Sequence, residues 1–162
     1  KQTLALVKSF IDCDINNALL VVVGDGDEMN ELRIVTRSRS NIKLVGKVQD
    51  PLQYYQCADV FISASLAEGL PNTVLEAMSC GLPCILSDIG PHKEILDYDE
   101  EAGCLFKTKD YNNLKDVMIA STTWDIGTKA KIARQLIINN LSKYKTASNY
   151  YNIYKTAYEK RN

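Results

Sequence analysis

The chain has 162 residues, 46% of them hydrophobic and 24% charged, and a formal net charge of −1. These values are typical of one globular domain with a buried core. The near-zero charge provides no basic surface for a polyanion, which argues against nucleic acid as a partner. The longest apolar run, residues 18–23, is far shorter than the roughly 20 residues that a membrane span requires.

Two further features indicate a reducing, intracellular setting. Residues 1–12 form an amphipathic pattern without the apolar stretch and cleavage site of a signal peptide, so a cytoplasmic location is expected. The five cysteines include no C-x-x-C pair, which is the usual unit of metal and redox motifs. We therefore expect scattered, reduced and mostly buried thiols, and no metal site.

Strand and helix patterns alternate along the chain. Short apolar runs predict five strands, at residues 18–23, 42–45, 60–63, 84–87 and 103–106. Apolar residues at helical spacing predict helices at residues 1–12, 28–39, 50–57, 73–80, 91–96, 111–121, 126–140 and 143–160. Strands that are apolar throughout are typical of a parallel sheet covered on both faces. The pattern predicts one α/β domain over residues 1–162, with a doubly wound, mostly parallel sheet and extra C-terminal helices.

The loop after the third predicted strand carries the clearest chemical signal. A helix leaves this loop near Thr73, and the free N–H groups at a helix start suit a phosphate. Glu68 and Glu76 lie on either side, and carboxylates accept hydrogen bonds from sugar hydroxyls. A nucleoside-diphosphate sugar has hydroxyls on both sides of its phosphates, so the loop predicts such a ligand.

Simpler interpretations of these residues stay open. Residues 73–76 (TVLE) match a capping box, in which Glu76 would only bond the backbone N–H of Thr73. Glu68 would then be an ordinary solvated loop residue. An earlier G-x-G, at residues 24–26, lacks the third glycine of a dinucleotide fingerprint because Met29 stands there, so a tight turn explains it better.

Five blocks of sequence resemble one enzyme family. Residues 68–78 (EGLPNTVLEAM) are similar to the E-x7-E motif of the retaining glycosyltransferase family 4, whose members have the GT-B fold. Residues 80–83 (CGLP) and 87–90 (SDIG) follow in the family's order, and residues 54–61 (YYQCADVF) and 23–26 (VGDG) precede them. The resemblance implies a nucleotide-sugar-binding, Rossmann-like half of a GT-B fold.

The resemblance also implies roles for individual residues. Glu76 corresponds to the carboxylate that binds the ribose, and Glu68 to the catalytic carboxylate that faces the transferred hexose. Lys1 corresponds to the lysine that pairs with the diphosphate, while Val48 and Asp50 would line the base pocket. The hexose and diphosphate would be held by Gly69, Leu70, Pro71, Asn72, Thr73 and Val74. No metal or other cofactor is expected, because basic side chains and the helix N-terminus neutralise the leaving diphosphate.

Two parts of the family's enzymes have no counterpart in the sequence. These are the first strand of this domain, with a phosphate-binding arginine beside it, and the acceptor domain. Without the acceptor domain, the fragment is expected to be inactive on its own. The expected partners are therefore a sugar-nucleotide donor, UDP-linked rather than GDP-linked, and the acceptor domain. Peripheral association with a membrane would occur through that acceptor domain. The lone histidine, His92, follows the fourth predicted strand, and we expect a structural or solvated role for it.

The parent enzyme implied by the resemblance moves a hexose to a hydroxyl acceptor with retention, in surface or capsular polysaccharide synthesis. Three alternatives stay open at this point. A sugar-nucleotide epimerase can share the GT-B fold, and a non-catalytic sugar-nucleotide-binding domain would keep the fold without turnover. A two-domain sugar synthase would transfer to free sugar phosphates.

Overall fold

The computed structural model describes residues 1–160 as an α/β domain with five strands and eight α-helices. The strands are Leu20–Val23 (β1), Ile42–Gly46 (β2), Phe61–Ser63 (β3), Cys84–Ser87 (β4) and Gly103–Phe106 (β5). The helices are Thr3–Cys13 (α1), Met29–Val35 (α2), Leu52–Cys57 (α3), Asn72–Ser79 (α4), Gly90–Leu96 (α5), Tyr111–Ser121 (α6), Ile126–Leu136 (α7) and Lys143–Glu159 (α8). The predicted α/β class, with its alternating strands and helices, is confirmed.

All strand pairs are parallel, as predicted, but the strands form two sheets. β1 pairs with β2, with Leu20 opposite Ile42, and β4 lies between β3 and β5. Within residues 1–160, β1 and β3 each keep an unpaired edge. The backbone N–H of Gln2 donates to the carbonyl of Ala64 at 3.2 Å, so the chain just before α1 runs beside the carboxyl end of β3.

Both faces of the central strand are covered. Successive side chains of a strand point to opposite faces, and all four residues of β4 are buried. Ile85 packs in one cluster with α1 and α6, while Leu86 packs in a second cluster with α4, α5 and α7. Gly103 allows β5 to approach β4, because a Cβ there would lie 2.2 Å from the carbonyl oxygen of Cys84. A continuous apolar strand sequence is therefore explained by burial on both sides.

Carboxylates cap several helices. Glu28, in the loop after β1, accepts from the backbone N–H groups of Thr3 (2.9 Å) and Leu4 (3.2 Å), so it caps α1 from outside the helix. Asp110 and Asp125 cap α6 and α7 through their own side chains. Each of these bonds uses an N–H group that the first helical turn leaves without a partner.

The C-terminal helices differ from the prediction in two respects. The helix expected over residues 126–140 is α-helical only to Leu136, and a wider π-helical turn follows over Ile137–Leu141. The helical spacing of Ala147, Tyr151, Tyr154 and Tyr158 predicts an apolar stripe on α8. In the structure this tyrosine stripe is exposed, with Tyr151, Tyr154 and Tyr158 67%, 70% and 71% exposed. α8 buries no residue, because no described element covers this stripe. None of the helices within residues 1–160 is both long and apolar enough to cross a membrane.

All five cysteines, which lie within the described residues, are free, as predicted. Only Cys84 is buried, whereas Cys57 is exposed and the other three are half-buried, so the expectation of mostly buried thiols is wrong. Burial raises the pKa of the Cys104 thiol to about 11, so this sulfur stays protonated at neutral pH.

Candidate functional site

The candidate site is the loop that connects β3 to α4. Ser65, just after the strand, is buried, whereas Gly69 and Leu70 are exposed at the tip of the loop. Pro71 is buried and Val74 anchors α4 in the core. No side chain of residues 1–160 caps the start of α4. The backbone N–H of Asn72 donates to the carbonyl of Leu70 and that of Val74 to the carbonyl of Pro71. This leaves the N–H of Thr73 open to a ligand, with the positive end of the helix dipole behind it.

Glu68 is held in place by a serine of its own loop. Its carboxylate is half-buried and accepts a hydrogen bond of 2.6 Å from the hydroxyl of Ser65. Because Ser65 donates its proton to Glu68, its oxygen is left to accept from the hydroxyl of Ser63 at 3.3 Å. Glu68 is therefore more than a solvated loop residue, since a buried serine fixes its position.

Glu76 does not form the capping box that the sequence allowed. α4 begins at Asn72, one residue before the predicted start, so Thr73 lies inside the helix and is not its cap. The side chain of Glu76 is exposed and accepts a hydrogen bond of 3.1 Å from the hydroxyl of Tyr55. The capping interpretation is therefore wrong, and the carboxylate has an oxygen left for a ligand.

Tyr55 is a site residue that the sequence analysis did not identify. It lies on α3, is half-buried, and its ring packs edge-on against Phe61 of β3 with centroids 6.0 Å apart. Burial and the hydrogen bond to Glu76 raise the pKa of Tyr55 above its ordinary value, so the hydroxyl is always a donor at neutral pH. The signal was present in the block YYQCADVF, but the sequence does not tell which tyrosine reaches Glu76.

Replacing Tyr55 with Phe removes this donor and keeps the ring. Glu76 then loses the bond that orients it, and we expect the Kd for UDP to rise about 2- to 10-fold, since one hydrogen bond contributes roughly 0.5–1.5 kcal/mol. Calorimetry on the full-length enzyme measures this change. Tyr54→Phe is the matched control, because no side-chain hydrogen bond of Tyr54 exists within residues 1–160. Equal Kd values for Tyr55→Phe and wild type would show that the contact does not serve nucleotide binding.

His92 is buried at the carboxyl end of β4. A structural or a solvated role was expected for it, and the solvated role is wrong because the side chain is buried. It lies on α5 with no exposed surface. Its Nδ1 atom is 2.9 Å from the carbonyl oxygen of Ser87 and 3.2 Å from the hydroxyl of the same residue. Burial lowers the pKa of the imidazole, so the ring is neutral.

The remaining predicted residues lie at two places. Lys1 is exposed, and the bond from Gln2 to Ala64 sets it beside the loop that carries Glu68. Val48 and Asp50 follow β2, in the other sheet. Asp50 accepts from the backbone N–H of Leu52 at 2.9 Å, so its carboxylate also starts α3. The structure thus brings Lys1 close to the Glu68 loop and leaves Val48 and Asp50 after β2, in the sheet that does not contain β3.

The fold is that of an α/β domain, and comparison with known proteins identifies its family. The profile of the family "Glycosyl transferases group 1" matches residues 2–122, so the chain belongs to this family of glycosyltransferases. A curated relative from Escherichia coli, UDP-Gal:alpha-D-GlcNAc-diphosphoundecaprenol alpha-1,3-galactosyltransferase, is 30% identical over 86% of this chain and 37% of its own length.

Solved glycosyltransferases share the fold. Staphylococcus aureus TarM, in a complex with UDP, fondaparinux and alpha-GlcNAc-glycerol, has a TM-score of 0.82 at 20% identity over 94% of this chain and 32% of its own. The pneumococcal O-GlcNAc transferase GtfA, with UDP and GlcNAc, has a TM-score of 0.79 at 21% identity over 96% and 33%. These neighbours have the GT-B fold, which confirms the predicted fold class. The chain spans well under half of the length of each protein.

Proposed function

We propose that this chain is the donor-binding half of a retaining glycosyltransferase that moves a hexose from a nucleoside-diphosphate sugar to a hydroxyl acceptor. The observation that carries the proposal is the pair of fixed carboxylates at an uncapped helix start. Ser65 holds Glu68 before α4, and Tyr55 holds Glu76 one turn into it. An ordinary loop gives no reason to brace two carboxylates on either side of a helix start.

Each group then binds one part of the donor. Glu76 accepts from the ribose hydroxyls, and Glu68 faces the hexose, where its charge stabilises the positive charge that develops as the glycosidic bond breaks. The start of α4 and the ammonium group of Lys1 bind the diphosphate, while Val48 and Asp50 line the base pocket. The neutralised diphosphate leaves without a metal ion and, in front-face attack, takes the proton of the incoming hydroxyl.

We also propose that the domain needs a strand that precedes Lys1. The unpaired edges of β1 and β3 support this proposal, as does the bond from Gln2 to Ala64, which aligns the preceding backbone with the carboxyl end of β3. The chain covers 37% of the length of the E. coli enzyme, which leaves room for a separate acceptor domain. In this proposal, the acceptor domain makes the contact with a membrane-bound acceptor.

A UDP-linked donor is proposed because the name of the E. coli relative contains UDP-Gal and the neighbours TarM and GtfA were solved with UDP. Surface polysaccharide synthesis is proposed on the same ground, since the E. coli relative acts on a diphosphoundecaprenol-linked sugar by its name.

The full-length enzyme and the 162-residue chain alone should differ sharply in one assay. The full-length enzyme is expected to release UDP from a UDP-sugar and to transfer the sugar with its anomeric configuration kept. The isolated chain should release none, and should bind UDP only weakly, near millimolar Kd, where the binding free energy is about −4 kcal/mol. UDP release measures turnover, and NMR of the product gives its anomeric configuration.

GDP- and ADP-sugars are the controls for the base. Transfer by the isolated chain contradicts the two-domain proposal, whereas an inverted product contradicts retention alone. Interconversion of the sugar nucleotides without transfer identifies an epimerase.

A further inference from the structure

A chain of hydrogen bonds connects the buried histidine to the proposed catalytic carboxylate. Nδ1 of His92 contacts the carbonyl of Ser87 at 2.9 Å. The hydroxyl of Ser87 donates to the backbone carbonyl of Ser65 at 2.6 Å, and the hydroxyl of Ser65 donates to Glu68, also at 2.6 Å. The four residues lie in three segments of the chain, the loop after β3, the end of β4 and the start of α5, so these side-chain bonds add to the backbone pairing of β3 with β4.

The partners of His92 determine its tautomer. A carbonyl oxygen only accepts, so the proton lies on Nδ1, and Nε2 of the neutral ring is an acceptor. Within residues 1–160, Nε2 is buried and has no hydrogen-bond partner. A buried polar atom without a partner destabilises the folded state. An apolar side chain of similar size would avoid this cost, so packing alone does not account for a histidine here.

Resting on the donor site proposed above, we infer that His92 is a positioning residue for Glu68. Its Nδ1–H group fixes Ser87, Ser87 fixes the backbone of Ser65, and Ser65 holds the carboxylate of Glu68 toward the transferred sugar. His92 does not itself touch the substrate. Supporting residues of this kind matter because a reacting group displaced by about 1 Å loses a large part of its rate advantage.

Asparagine and leucine are matched replacements that separate this role from packing. Both branch at Cγ as imidazole does. The amide nitrogen of Asn takes the place of Nδ1, so Asn keeps the donor, while its amide oxygen takes the place of Cδ2 and replaces Nε2 as the buried acceptor. Leu has nearly the same shape as Asn and has no donor. Ser65→Ala removes the last bond of the chain directly and leaves the core under α5 intact.

The experiment measures kcat at saturating UDP-sugar and the Kd for UDP, in the full-length enzyme, for wild type and these variants. His92→Leu and Ser65→Ala are each expected to lower kcat about 10-fold, whereas His92→Asn keeps most of it. The Kd for UDP stays at the wild-type value in all three, because UDP has no sugar for Glu68 to face. The double variant should lose no more than either single variant, since both act on the same bond to Glu68.

Several outcomes overturn the inference. A wild-type kcat in Ser65→Ala or in a folded His92→Leu does so, and so does an equal loss in His92→Asn and His92→Leu. Additive losses in the double variant show that His92 acts elsewhere. If His92→Leu fails to fold, Ser65→Ala and His92→Asn decide the question. A wild-type enzyme that does not turn over any UDP-sugar refutes the proposed function itself, which is a separate result.

Discussion

Glu68→Gln in the full-length enzyme is expected to lower kcat about 100-fold, which corresponds to roughly 2.7 kcal/mol of transition-state stabilisation. Gln has nearly the same shape as Glu and still accepts from the hydroxyl of Ser65, so the loop keeps its geometry. What is lost is a negative charge next to a sugar ring that becomes positive as the glycosidic bond breaks. Such a fixed charge acts mainly in the transition state.

The Kd for UDP should hardly change in Glu68→Gln, because UDP carries no hexose. UDP release at saturating donor measures kcat, and calorimetry measures the Kd. Glu31→Gln is the matched control, since Glu31 is an exposed glutamate on α2 that makes no side-chain hydrogen bond within residues 1–160. A Glu68→Gln enzyme that loses UDP affinity and keeps its kcat would reverse the roles given to the two glutamates.

Glu76→Gln should weaken UDP binding by about 1.5–3 kcal/mol, or roughly 10- to 100-fold in Kd, the range for hydrogen bonds to a charged group. In the proposed site the ribose hydroxyls donate to this carboxylate, and an amide oxygen would accept from them less strongly. The bond from Tyr55 survives because the amide oxygen of Gln still accepts it. The effect on kcat at saturating donor should be smaller than that of Glu68→Gln.

The melting temperature separates this binding effect from instability. Glu76 is exposed and does not cap α4, so Glu76→Gln should unfold at nearly the wild-type temperature. Uridine and uracil serve as ligand controls, because only uridine carries the ribose. A variant that binds UDP as wild type does would leave the contact with Tyr55 as the whole role of Glu76.

The strands and the position of the loop after β3 were predictable because they depend on short-range patterns. β4 was predicted at residues 84–87 and is observed at Cys84–Ser87, since a fully buried parallel strand must be apolar at every position. The same rule places the loop after β3 at a carboxyl strand end, where open α/β sheets bind ligands. The spacing of Ser65 and Glu68, three residues apart in one loop, also made their contact a local one.

Contacts between distant residues were not predictable. Tyr55 and Glu76 are 21 residues apart and meet only because α3 and α4 both pack beside β3. A shift of one residue in the start of α4 changed Glu76 from a capping residue into an open carboxylate, and helix ends are the least certain part of a sequence pattern. The division of the sheet depends on backbone pairing, which no side-chain pattern in β1 or β3 specifies.

Glu68 and Glu76 are proposed to bind the two ends of a sugar nucleotide. Titration of the protein with UDP by calorimetry tests this division of roles. The full-length wild type and Glu68→Gln should bind UDP with the same Kd, while Glu76→Gln should bind it at least about 10-fold more weakly. Absence of UDP binding by the wild type, or equal binding by all three proteins, would contradict the assignment of this loop as the donor site.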